Sequence, residues 1–146
     1  MRVLGIDYGE RRIGLSYGDE LGVAVPLAAA TDSDRAARLG RVVALARERR
    51  ATELVVGYPY NMDGSVGFKA QEVDAFIAEL TQHLSLPVHR VDERLSTRAA
   101  SEHLPKTRDD ELRRSGKIDS MAACLILQDY LNQIMRHGFD PEAEFG

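Results

Sequence analysis

Apolar and polar positions change period along this chain. Val3, Leu4 and Ile6 form a short apolar run that stops at an acid, Asp7; Gly9 follows, then a charged turn of Glu10, Arg11 and Arg12, then a second apolar run over 13–17. Short apolar runs separated by Gly and charged residues predict two strands and a tight turn. A third apolar stretch over 22–30 (GVAVPLAAA) comes after an Asp19-Glu20 turn. Pro26 cannot donate to a central ladder, so this strand is expected at a sheet edge.

The spacing then becomes helical. Leu39, Val42, Val43 and Ala46 follow the i, i+3, i+4, i+7 pattern of an amphipathic helix. Thr31-Asp32-Ser33-Asp34 offers N-caps, and Arg47, Arg49 and Arg50 suit the negative end of the helix dipole. The run ELVVG at 53–57 predicts a buried parallel strand, opening into YPYNMDGS with Pro59 and an Asp63-Gly64 turn. A second helix is expected over 65–84, with Val73, Ile77, Leu80 and Leu84 as its apolar stripe, and a fifth strand over 86–91 that ends on Asp92 and Glu93.

Ser96 or Thr97 can cap a short helix through Leu104. Residues 105–117 (PKTRDDELRRSGK) contain Pro, Gly and almost no apolar anchor, and read as a mobile, largely basic loop. The last helix, over 118–136, is apolar nearly all round from Met121 to Leu127 and is expected to be mostly buried. The remainder, 137–146, reads as a flexible C-terminal tail on a single domain spanning 1–136.

A strand meander followed by strand–helix units defines an α/β fold, a mixed sheet with helices on both faces. Right-handed crossovers and short connections favour five strands in the order 3-2-1-4-5.

The 146 residues, 44% of them hydrophobic, suit one domain with a real core. No apolar run approaches the roughly 20 residues of a membrane span, and the opening MRVLGIDYG has no long apolar segment with a cleavage site, so neither a membrane partner nor a signal peptide is expected. The single cysteine, Cys124, excludes an internal disulfide and fits a reducing cytoplasm. It lies in an apolar run, where burial or pairing between subunits would both suit it.

A net charge of −4 does not by itself point to a nucleic-acid partner. The distribution does more. Residues 34–50 carry six arginines against two acids, and 94–117 carry seven cations (Arg94, Arg98, Lys106, Arg108, Arg113, Arg114, Lys117) against four acids.

The second cluster adjoins the acids that the topology gathers. Asp7 stands on the first strand, Glu93 follows the fifth, and Asp119 heads the final helix. Ligands of such sheets collect at the carboxyl ends of the strands. Three carboxylates together repel and raise one another's pKa, which a hard, oxygen-seeking cation such as Mg²⁺ or Mn²⁺ relieves. Taken singly, each acid is equally explained as a turn or cap residue. Gly5 and Gly9 would let a ligand or another chain approach the backbone. The four histidines share no ligand spacing, so zinc has little support.

Four stretches carry a resemblance: GIDYGERRIGLS at 5–16, VVGYPYNMDGS at 55–65, VDERLSTRAA at 91–100 and KIDSMAACLILQDYL at 117–131. In this order they resemble the YqgF (RuvX-like) family of pre-16S ribosomal RNA nucleases, related to Holliday junction resolvases. Tyr58-Pro59-Tyr60 departs from the family's more usual Leu before the Pro, which touches loop shape or substrate preference. The resemblance implies a ribonuclease H-like fold and a two-metal phosphodiester hydrolase. Asp7, Glu93 and Asp119 would be both its catalytic residues and its metal ligands. It further implies 5′-end maturation of pre-16S rRNA in ribosome biogenesis, or resolution of branched DNA.

On that reading Arg94 is a phosphate clamp, and free amides at Thr97 face a phosphate. Arg98, Lys106, Arg108, Arg113, Arg114, Lys117 and the arginines of 34–50 contact the nucleic-acid backbone. A branched-DNA cutter cuts two symmetric strands and is expected as a homodimer. Two rivals remain: an actin- or sugar-kinase-like ATPase, which needs a second domain and phosphate loop, and a module that binds RNA without cutting it.

Overall fold

The computed structural model describes residues 1–93 and 120–138, with side chains through Met135. The order is β1 (Arg2–Tyr8), β2 (Ile13–Asp19), β3 (Val25–Ala30), α1 (Arg35–Glu48), β4 (Glu53–Tyr58), α2 (Phe68–His83), β5 (Val88–Asp92) and α3 (Met121–Gly138). The short helix expected over 96–104, the basic loop of 105–117 and the tail beyond Gly138 lie outside the described residues.

The sheet is five-stranded in the order β3-β2-β1-β4-β5, as the connection rules require. β2 pairs antiparallel with β1 and β3, while β1, β4 and β5 run parallel. The proline-bearing strand lies at an edge, with Pro26 opposite Ser16.

Successive side chains of a strand face opposite sides, and the two cores follow that alternation. Leu4, Ile6, Leu15, Leu54 and Val56 pack against Val42, Val43 and Ala46 of α1 and Val73, Phe76, Ile77 and Leu80 of α2. Val3, Val55 and Val91 face the other way, onto Ile126, Leu127 and Leu131 of α3. Helices therefore cover both faces.

The helix caps show the local chemistry. The Asp34 side chain accepts from the Ala37 amide and starts α1. α2 starts at Phe68, three residues later than the spacing predicted, because its N-cap is Gly67 and the preceding residues fold into a turn. In that turn the Asn61 amide donates to Ser65 O, and Gly64 adopts φ 87°.

The arginines of α1 also make contacts within the protein. Arg38 is buried and donates to the carbonyls of Asp32 (2.7 Å), Ser33 (3.1 Å) and Glu10 (2.8 Å). Arg41 forks onto Asp32, Arg35 pairs with Glu79, Arg47 donates to the His83 carbonyl, and Arg49 lies over the Tyr17 ring. Arg38 thereby ties α1 to the β1–β2 turn and is not available to a nucleic-acid backbone.

Polar pins register α3 on the sheet. The Ser16 hydroxyl donates to Ala123 O at 2.8 Å, and the Ser120 hydroxyl accepts from Leu15 N at 2.9 Å, both in the interior. Gln128 spans from the Ala24 amide to the Gly22 carbonyl, and the half-buried Cys124 thiol donates to Ala24 O. Here the close approach at Gly5 finds its cause. A Cβ there would collide with the Ser16 hydroxyl and lie 2.8 Å from Leu127 Cβ and 3.1 Å from Ala123 O. The neighbour is α3 of the same chain, not a ligand.

Gly5→Val is expected to lower stability by about 2–3 kcal/mol through overpacking, read as an earlier urea midpoint at unchanged slope. A loss below about 0.5 kcal/mol would contradict this packing.

Candidate active site

Strand parity places the acids. Val3, Gly5 and Asp7 alternate onto the α3 side of β1, as Val55 and Gly57 do on β4, and His89 and Val91 on β5. Register sets their level: Ile6 pairs with Val56, so Asp7 is level with Gly57, which pairs with Val91. Glu93 comes two residues later. β4 separates β1 from β5, and at the level of the acids β4 carries no side chain. A Cβ on Gly57 would lie 3.5 Å from the Glu93 carboxyl carbon and 2.5 Å from Ile126 Cδ1. The Glu93 carboxyl thus lies over Gly57 at ordinary contact distance, and the space a side chain there would need is taken by Ile126 of α3.

The Glu93 carboxyl lies close enough to that of Asp7 to act on its ionisation. Burial, then the hydrogen bond and charge of Glu93, push Asp7 up to about 8. Both side chains are half-buried. Two acids crowded in this way, with only oxygen donors, are a donor set that fits a hard divalent cation: a cation would replace the Asp7 proton and remove the repulsion.

A cleft of about 880 Å³ opens beside them. Its walls are the β1–β2 turn (Gly9, Glu10, Arg11), the segment after β4 (Pro59, Tyr60, Met62) and the first turns of α2 (Lys69, Glu72, Val73), and Glu93 belongs to its lining. A three-part network fixes the wall after β4. The Tyr58 hydroxyl donates to Asp74 at 2.7 Å, Arg90 donates twice to the same carboxylate, and Arg90 lies over the Tyr58 ring. Donation to Asp74 raises the Tyr58 hydroxyl above its ordinary pKa. The Tyr60 ring packs edge-on against Tyr58, with centroids 4.8 Å apart.

The structure thus brings together two of the predicted acids, Asp7 and Glu93. The third, Asp119, lies outside the described residues, as do Arg94, Thr97, Arg98, Lys106, Arg108, Arg113, Arg114 and Lys117. Among the described residues no group of three potential ligands gathers. Ser120, next in sequence to Asp119, bonds to Leu15, which stands opposite Ile6, one residue before Asp7. Sequence reasoning missed Gly57, whose only signal was a glycine ending an apolar run. It also missed Arg11, Tyr60 and Lys69, which no spacing relates.

A ribonuclease H-like sheet with paired carboxylates at its carboxyl ends defines the class of phosphodiester-cleaving nucleases and resolvases. The chain belongs to the family described as RuvX: Holliday junction resolvase, whose model matches residues 1–133. A relative from Opitutus terrae, named "Putative pre-16S rRNA nuclease", is 55% identical over 134 residues, 91% of this chain and 92% of its own. One of the same name from Syntrophus aciditrophicus is 38% identical, covering 98% of this chain and 96% of its own. Among solved structures, T. thermophilus RuvC in complex with a Holliday junction substrate is similar at a TM-score of 0.57 and 18% identity, over 93% of this chain and 96% of that one. The Fowlpox virus resolvase with its Holliday junction DNA has the same TM-score, 0.57, at 12% identity, over 92% of this chain and 99% of that one. At these identities the two structures share the fold. No helix among the described residues is long and apolar enough to cross a membrane.

The raised Asp7 has a stability consequence. Its ordinary value is 3.8 and its folded value about 8, so between them the native state keeps a proton that the unfolded chain has released. Stability then falls as pH rises, by up to about 1.4 kcal/mol per unit, and levels off above the folded value. In metal-free buffer, Asp7→Asn is expected to gain on the wild type from pH 5 to 8 in thermal melts. A difference independent of pH would contradict the desolvated pair.

Proposed function

We propose that this nuclease processes the precursor of 16S rRNA in the cytoplasm, and that Asp7, Glu93 and Asp119 hold its divalent cations, Mg²⁺ or Mn²⁺. The observation that carries this reading is the desolvated Asp7 carboxyl against that of Glu93. Bound there, such cations supply an activated water and stabilise the leaving oxygen of a phosphodiester. The chain's own part is to keep the two carboxyls together: the end of β1 fixes Asp7, Glu93 follows β5 and lies over Gly57, and burial leaves the Asp7 carboxyl poorly solvated. Asp119 is the third ligand by motif match, supported by the position of Ser120 beside Leu15.

Arg94, Thr97, Arg98, Lys106, Arg108, Arg113, Arg114 and Lys117 contact the phosphate backbone on this reading, carried by their local excess of positive charge. The rRNA assignment rests on the names of the relatives. The family description and the resolvase fold favour a second reading, resolution of branched DNA by a homodimer.

Asp7→Asn is expected to abolish Mn²⁺-dependent cleavage of a 5′-extended 16S rRNA precursor while keeping a native circular dichroism spectrum. Full activity in this variant would overturn the site. The same wild-type preparation, given the precursor and a four-way DNA junction, is expected to cut the precursor. Cleavage of the junction alone, by a dimer on size exclusion, would establish the second reading.

A further inference from the structure

Three of the large apolar side chains most open to solvent belong to one short segment: Met62 (91% exposed), Val66 (52%) and Phe68 (74%). That segment joins β4 to α2 and borders the cleft beside Glu93, into which Tyr60 and Met62 face. Two cations, Arg11 on the β1–β2 turn and Lys69 on α2, line the opposing walls, and neither forms an ion pair among the described residues. Apolar and aromatic faces beside unpaired cations are what a nucleotide requires: a π-face for the base and positive charge for the phosphate.

The charge is arranged for one strand. Glu10, Glu72 and Glu93 also line the cleft, so a phosphate there would have Arg11 and Lys69 as its cationic partners among the lining residues. The cleft's volume, about 880 Å³, lies within the range of small-molecule pockets. That volume suffices for one nucleotide, and only an unpaired base has a face left to stack, since the bases of a duplex are already stacked.

We propose that this cleft binds a single-stranded nucleotide next to the scissile phosphate, its base stacked on Tyr60 and Met62 and its phosphate held by Arg11 and Lys69. The network of Asp74 with Tyr58 and Arg90 is the positioning device. It anchors Tyr58, against which Tyr60 packs, and the Tyr60 amide donates to the Tyr58 carbonyl at 3.1 Å. The Tyr58 hydroxyl, held by Asp74, thereby fixes the ring against which Tyr60 packs. The inference rests on the nuclease reading of Asp7 and Glu93 but concerns binding, and it specifies the substrate segment as unpaired.

The test uses the full chain without divalent cations, so that cleavage plays no part. Single-stranded RNA, single-stranded DNA and duplex RNA oligonucleotides carry 2-aminopurine, whose fluorescence falls when the base stacks. Wild type and Tyr60→Phe are expected to quench the single-stranded probes, with duplex RNA unquenched. Tyr60→Ala is expected to abolish quenching and weaken binding about tenfold. Asp74→Asn is expected to reduce quenching without changing the salt dependence, whereas Arg11→Ala and Lys69→Ala should each lower the salt slope by about one. Thermal melts confirm that each variant is folded. Quenching undiminished in folded Tyr60→Ala, or equal quenching of duplex, would overturn the proposal, whether or not Asp7→Asn still cleaves RNA.

Discussion

Two carboxyl groups share one poorly hydrated position at the carboxyl ends of the parallel strands, and the rest of the structure depends on that contact. Left alone it is unfavourable: the acids repel, and burial together with Glu93 pushes Asp7 up to about 8. A protein keeps such a pair only where the surrounding fold over-determines it. Here the fold does so through register. The parallel pairing of β1, β4 and β5 sets Glu93 two residues beyond the level of Asp7, and its carboxyl lies over Gly57 between them.

The covering helix contributes the second constraint. α3 presses on the sheet at Gly5 and Gly57, with Leu127 and Ile126 where side chains would otherwise be. Buried hydrogen bonds from Ser16 to Ala123 and from Leu15 to Ser120 fix its rotation and height, since leaving either buried partner unmet costs about 1–3 kcal/mol. α3, which begins two residues after the third candidate acid in sequence, is therefore tied at its start to Leu15, opposite Ile6 and one residue from Asp7. On the opposite face, buried Arg38 ties α1 to the β1–β2 turn, which is also a wall of the cleft. The acid pair, the turn and the cleft thus share one rigid frame.

Much of this was legible from the residues. Periodicity located all the described elements, Asp34 announced the start of α1, Pro26 marked an edge strand, and chain handedness yielded the order 3-2-1-4-5. From that order alone Asp7 and Glu93 could be brought together. What escaped the sequence was what depends on tertiary partners. An arginine on a basic helix face looks solvated until three carbonyls converge on it, as they do on Arg38. A glycine in a strand invites a ligand until a helix fills the space, as at Gly5. The cleft joins residues from the β1–β2 turn, the segment after β4 and α2, a grouping that no spacing encodes. The start of α2 moved because a local turn, with Asn61 and Ser65 bonded to each other, outcompeted helical propensity.

The central claim is that the Asp7–Glu93 contact is a cation site kept protonated in the cation's absence. Direct measurement of Mn²⁺ uptake, by loss of the free-ion electron paramagnetic resonance signal, tests it without reference to any substrate. The wild type is expected to take up Mn²⁺, and Glu93→Gln, folded by circular dichroism, to bind it at least about tenfold more weakly, since a neutral amide replaces an anionic oxygen ligand. Equal uptake by the two proteins would contradict it.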